Sequence, residues 1–255
     1  MDHVDGFIQA KNFSWGRNGQ TPSLWVIHDE EYPERVDAAW DVARYFARQD
    51  APNASAHACV DNRNAIGCVD WDDTAWHSGH GGTNLRSIGI EHSGYASQSR
   101  EEWLDEYGIA MLDRSARLFA DVGHGLFGIP ARWLSPAEVA AGQAGICGHA
   151  DVTYGFGIYG GHTDPGVNFP TDYFIDLCNK YIGGETPDTE EEMKSVMVLD
   201  PDSKSGEVWE CWGLFRKHIT SEKDRDVKKF LGVQYMGADT PEDFRRFCIR
   251  TTKAV

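Results

Sequence analysis

Two short apolar runs in this chain stop at residues that carry chemistry. Ser23-Leu24-Trp25-Val26-Ile27 ends directly in His28, and Ser87-Ile88-Gly89-Ile90 ends in Glu91. Apolar runs this short read as strands, and Leu24–His28 reads as a buried one. A strand end fixes the backbone of its last residue, so His28 and Glu91 are held at defined points of whatever sheet forms. A third segment, Gly148–Gly166, GHADVTYGFGIYGGHTDPG, is rich in loop formers. It offers His149, Asp151, His162 and Asp164, and Asp164-Pro165-Gly166 closes it with a turn.

The intervening sequence alternates helical and strand patterns. Pro33 introduces a helix expected over Glu34–Arg48, with Val36, Trp40, Ala43 and Ala47 toward the core. Ser55–Asp61 and Ala65–Val69 read as a hairpin around Asn62-Arg63-Asn64. The longest helical pattern runs from Glu101 to Val122, with Trp103, Tyr107, Met111, Leu118 and Val122 along one side. Ser135-Pro136-Ala137-Glu138 is a capping box with proline at the first helical position. Phe169-Pro170 leads into a last helix through Tyr181. This alternation predicts an α/β fold, a mixed central β-sheet flanked by helices.

Polar, acidic residues 184–193 read as a linker. The expected organisation is a catalytic domain over 1–183 and a small C-terminal α+β domain over 194–255. In the latter, VMVL and VWECWGLF form a hairpin that helical segments follow. Charge supports the division. Residues 1–194 hold 30 of the 40 acidic side chains but only 13 of the 24 basic ones.

The formal net charge of −16 argues against nucleic acid or an anionic membrane as partner. No apolar run approaches the length of a bilayer span, so no membrane insertion is expected. The start, MDHVDGFIQAKNFSWGRNG, lacks a basic-then-apolar leader, so the chain is expected to be made and kept in a cytoplasm. The six cysteines form no CxxC pair, which argues against a zinc knuckle and favours reduced, buried thiols. Cys59 and Cys68 flank the hairpin and face each other at most as an unfavoured disulfide.

Histidine, aspartate and a free glutamate are the parts of an open, hydrolytic zinc site. His28 suits a ligand because of its rigid position. Spacing alone does not separate His149 from His162 as a second ligand, nor Asp151 from Asp164 as a third. Glu91 is the candidate base, and His162 the candidate to stabilise an oxyanion.

The ordered motifs WVIH (25–28), SAHACVD (55–61), AWHSG (75–79), NLRSIGIEHSG (84–94), GHADV (148–152) and HTDPGVNFP (162–170) carry a family resemblance. Together they resemble the zinc-dependent N-acetylmuramoyl-L-alanine amidases of the type-2 amidase and peptidoglycan-recognition-protein superfamily, over residues 20–182. With ARYFARQDAPNASAH they are most similar to amidase modules of endolysins from phages of actinobacteria. The resemblance implies His28, His149 and Asp164 as Zn2+ ligands, Glu91 as general base, and His162 where relatives carry Lys or His at the oxyanion. It places Trp76, His77 and Asn84 near the substrate cleft and makes His57 structural or cleft-lining. His3, His80, His92, His124 and His218 carry no expected role. Asp29-Glu30-Glu31 departs from the small residues common in relatives after the first ligand. So does Cys59, at a position where an aromatic is common.

The implied activity is hydrolysis of the amide between N-acetylmuramic acid and L-alanine of bacterial peptidoglycan, by a monomer acting in host lysis. A phage lysin would wait in the host cytoplasm until the membrane is permeabilised. Rival readings are a non-catalytic recognition module, a bacterial wall-recycling amidase, and a cysteine peptidase built on Cys147 or Cys59. In the tail, Trp209, Trp212 and Phe215 with Arg216, Lys217, Lys228, Lys229, Arg245 and Arg246 are expected either as a wall-binding surface or as a small core.

Overall fold

The computed structural model describes residues 1, 3–158, 161–184, 196–199, 208–212, 215–219 and 234–237. The chain divides into two compact units, Met1–Gly184 and Glu185–Val255. The first contains a six-stranded sheet of β1 (Gly6–Phe7), β3 (Leu24–Asp29), β4 (Ala58–Val60), β5 (Ala65–Gly67), β7 (Ser87–His92) and β8 (Gly145–Gly148). Their spatial order is β1-β5-β4-β7-β3-β8. All neighbours are parallel except the β4–β5 hairpin, so the sheet is mixed as expected. A separate two-stranded ribbon pairs β2 (Phe13–Ser14) with β6 (Thr74–Ala75).

Helices cover both faces. They are α1 (Ala38–Ala47), α2 (Gly81–Arg86), α3 (Arg100–Trp103), α4 (Glu106–Leu118), α5 (Pro136–Ala140), α6 (His149–Phe156) and α7 (Thr171–Ile182). Trp25 and Ile27 of β3 join Ile88 and Ile90 of β7 in a core with Met111, Leu112 and Phe119. Leu24 and Val26 point the other way, against Val139 and Val152. Because both faces are covered, β3 is apolar without alternation. A third cluster seats Ala39, Val42, Ala43 and Phe46 of α1 against Cys59 and Ile66.

Two helical expectations change. The first helix starts at Ala38, because Asp37 takes a left-handed backbone (φ 66°). Its buried stripe is Ala39, Val42, Ala43 and Phe46, and the anticipated Val36 lies outside it, exposed. The long Glu101–Val122 pattern is broken. Ser99 closes a capping box on α3, and Asp105 accepts from the Gly108 amide to start α4 afresh. After Leu118 the chain widens into a π-helical turn, Phe119–His124. There Phe119 meets Trp25 edge-to-face at 5.4 Å. A Cβ on Gly123 would stand 2.6 Å from the Phe119 ring, so the close packing requires glycine there.

In the second unit, β9 (Val196–Leu199), β10 (Val208–Trp212), β11 (Phe215–Ile219) and β12 (Gln234–Gly237) form a sheet in the order β11-β10-β9-β12. β9 and β10 are antiparallel neighbours. The helical segments anticipated in the tail, residues 185–193 of the linker, and Lys228, Lys229, Arg245 and Arg246 lie outside the described residues.

Candidate metal centre and active site

Three buried donors converge at the C-terminal end of the sheet. His28 ends the apolar stretch of β3, in register with Glu91 of β7. Its other neighbour is β8, where Gly148 pairs with Ile27 and the next residue, His149, opens α6. That helix was not anticipated in a segment that reads as loop. The Ala150 amide donates to the Asp164 carbonyl at 2.9 Å, tying the 161–166 turn to the same helix end. His28 Nδ1 lies 2.9 Å from Asp164 Oδ2, and His149 Nδ1 lies 3.3 Å from Asp164 Oδ1. Donor atoms of all three lie within 4.8 Å of one another. Two imidazole nitrogens and a carboxylate, buried and convergent, are a set that could hold a metal ion.

The structure places the residues that spacing leaves equivalent in different surroundings. Asp151 is occupied at the helix start, accepting from the Gly148 amide at 2.9 Å. His162 is not in the convergent trio. Its side chain is 69% exposed, stacks on the His149 ring at 4.3 Å, and places Nδ1 3.6 Å from Asp164 Oδ1.

A cleft of about 540 Å³ opens over this trio. Its walls include Glu91, His162, Asp29, Glu30, Glu31, Trp76 and the Asn53–Ser55 segment, with no lysine or arginine among the described residues that line it. Burial lowers His28 to about 4, so its ring is neutral at pH 7. Burial alone would raise Asp164, but His149 above all outweighs it and holds the carboxyl far below the usual range. Burial, then the charges of Asp164, Glu30 and Asp29, pushes Glu91 well above the ordinary carboxylate range. A cation among the three donors would draw it back down, as a base requires. Burial also pushes Asp29 up to about 7 and Glu30 up to about 8. Asp29 and Glu30 therefore carry less charge at neutral pH than two free carboxylates would.

The three residues expected near the substrate separate. Trp76 lines the cleft, half-exposed, with its Nε1 donating to Ser14 Oγ at 3.0 Å. His77 borders the cleft but is 7% exposed, and both ring nitrogens are engaged, by His28 at 3.0 Å and Ser87 at 2.9 Å. It has no nitrogen left for a substrate. Asn84 is not a wall of the cleft. Its Oδ1 accepts from the Ser78 amide at 2.9 Å and Ser78 Oγ at 2.7 Å, pinning the loop that carries His77.

Other side chains brace the site. Arg17, which no motif singled out, is buried and donates to the carbonyls of Trp71 and Ser87, with His57 Nε2 2.8 Å away. His57 is buried, and its Nδ1 accepts from the Gly89 amide at 3.0 Å. His92, which carried no expected role, is wholly buried. It donates through Nδ1 to the His28 carbonyl at 3.0 Å and accepts through Nε2 from Ser115 at 2.7 Å. The signal for such residues is faint, since only their neighbours in space give them a task. Cys59 and Cys147 are free, buried thiols that burial pushes far above the ordinary range. Neither is a ready thiolate nucleophile.

Among the described residues, no helix is long and apolar enough to cross a membrane. A search of curated proteins finds no match. Among solved structures, the hydrolase AmiA of Staphylococcus aureus, in complex with its ligand, is 21% identical. It covers 71% of this chain and 84% of its own, with a TM-score of 0.53, a likeness of fold. A mutant endolysin from Bacillus subtilis is 18% identical over 69% of this chain and 99% of its own, at a TM-score of 0.46. The family model for N-acetylmuramoyl-L-alanine amidase matches residues 18–167, which span β3, β7, β8 and all three convergent donors. That match extends over more than half of the sequence, and the chain belongs to the N-acetylmuramoyl-L-alanine amidase family.

Proposed function

We propose that this amidase uses a Zn2+ ion held by His28, His149 and Asp164 to cut the bond between N-acetylmuramic acid and L-alanine, and that it serves as a phage endolysin. The observation that carries the zinc reading is the buried His-His-Asp trio, with Glu91 in register beside His28 on the neighbouring strand. Bound there, zinc would supply Lewis acidity, polarising the scissile carbonyl and bringing water from a pKa of about 15.7 to about 7. Glu91 takes the proton of the attacking water and hands it to the departing amine of L-alanine. His162, exposed and stacked over His149, donates to the oxygen on which negative charge develops. Trp76 offers an aromatic face to the substrate at the cleft wall. His77 and Asn84 act behind that wall.

The endolysin role rests on the resemblance and on a separate second unit, which we assign to wall binding. The protein is expected as a monomer in the host cytoplasm until the membrane fails. Purified actinobacterial peptidoglycan tests the activity. Digestion should release new L-alanine amino termini without new reducing ends, and a chelator should stop it until zinc is restored. Binding to the wall without release would make the chain a recognition module instead.

A further inference from the structure

We propose that His77 is a positioning residue that fixes the tautomer of His28, through a hydrogen-bond relay anchored on a backbone carbonyl. This inference rests on the metal reading of His28. The relay has four members. Ser87 Oγ lies 2.7 Å from the Thr83 carbonyl, His77 Nε2 lies 2.9 Å from Ser87 Oγ, and His28 Nε2 lies 3.0 Å from His77 Nδ1.

The direction of every bond follows from its first member. A carbonyl oxygen only accepts, so the single hydroxyl proton of Ser87 goes to Thr83. Ser87 Oγ must then accept from His77, which places the His77 proton on Nε2. His77 Nδ1 is left with a lone pair and can only accept, so the proton of His28 sits on Nε2. The remaining nitrogen of His28, Nδ1, therefore turns its lone pair toward Asp164 and His149. A lone pair facing a carboxylate at 2.9 Å is repulsive unless a cation or a proton lies between them. The relay prepares a ligand atom for a cation.

The backbone is shaped to admit the relay. Gly89 lies in the middle of β7, where glycine weakens a strand. A Cβ at that position would stand 2.5 Å from His77 Cγ and 2.6 Å from its Nδ1. The missing side chain is the space that the His77 ring occupies. The His77 amide lies 3.3 Å from Asn84 Oδ1, and the loop behind it is fixed by Ser78.

The test compares H77L with H77N in the full-length protein, by zinc competition against a chromophoric chelator. Asn can offer Oδ1 near the place of Nδ1 and accept from His28. Leu fills more of the pocket but accepts nothing. The relay predicts that H77L loses zinc affinity about 10- to 100-fold while H77N stays within a few-fold of the wild type. A space-filling role predicts the reverse order, and that result would overturn the proposal. A second readout needs no variant. Long-range ¹H–¹⁵N spectra of the zinc-loaded wild type should show His28 protonated on Nε2. An Nδ1–H tautomer overturns the relay even where zinc binding is intact. A wild type without zinc affinity would sink the metal reading itself, a failure distinct from equal affinities across the three proteins.

Discussion

At the scale of single residues, the cleft sorts carboxyl groups by what surrounds them. Asp164 is held ionised, by His149 above all, while Glu91 is pushed up by burial and by neighbouring carboxylates. That contrast is what a ligand and a proton carrier need. Glu91→Gln removes the proton acceptor and keeps the shape. It should retain zinc while turnover on purified wall falls by about 10²- to 10⁴-fold. Near-normal turnover would move the base elsewhere. His92 carries the pH prediction. Burial lowers it to about 4 from an ordinary 6.5, so between those values the unfolded chain binds a proton that the folded chain refuses. Stability is thus complete above pH 6.5 and declines as pH falls toward 4, by on the order of 3 kcal/mol for one such group. His28 has the same sign. Urea midpoints of the metal-free protein should drop from pH 7 to pH 5, with a shallower slope in His92→Gln. Ser115→Ala, which strips His92 Nε2 of its donor, should cost about 1–3 kcal/mol at pH 7.

Among elements, the short helix α5 matters beyond its length. Leu134 and Val139 pack with Val152 of α6, the helix that His149 opens. The start of α5 is held by a reciprocal cap, with Ser135 accepting from the Glu138 amide and Glu138 accepting from the Ser135 amide. Arg132 adds a contact to Glu138 at 2.9 Å. Ser135→Ala should destabilise the protein by about 1 kcal/mol in thermal melts. If melts of the variant and the wild type superimpose, α5 is held by its apolar face alone.

For the molecule as a whole, the proposed ligands come from β3, from the start of α6 and from the turn at Asp164, which are far apart in the chain. Metal bound at all three stabilises only the folded state. Free zinc at 100 times its dissociation constant adds about 2.7 kcal/mol. Chelation should therefore lower the melting temperature as well as stop hydrolysis, and an unchanged melt would place any metal elsewhere. The two units suggest a further experiment. A chain ending at Gly184 should keep zinc and turnover on soluble muropeptides while losing retention on intact walls. Undiminished wall retention would remove the binding role from the second unit.

The sequence by itself determined the parts whose signals are local. The strands that carry His28 and Glu91 were legible because an apolar run and the polar residue after it are contiguous, although each strand runs one residue further, to Asp29 and His92. So were the hairpin at Asn62–Asn64 and the Ser135 cap, which are complete within a few residues. Tertiary structure decided the rest. The phase of α1 depended on where Asp37 turned the backbone, and the break before α4 on Asp105 capturing the Gly108 amide. Which of His149 and His162, and which of Asp164 and Asp151, stands with His28 depended on how the sheet and the turn at Asp164 bring the segments together. His77 became a partner of His28 because Gly89, on another strand, leaves room for its ring. Periodicity reports which face of an element is apolar. A site made from three distant segments is fixed only when the sheet sets their spacing.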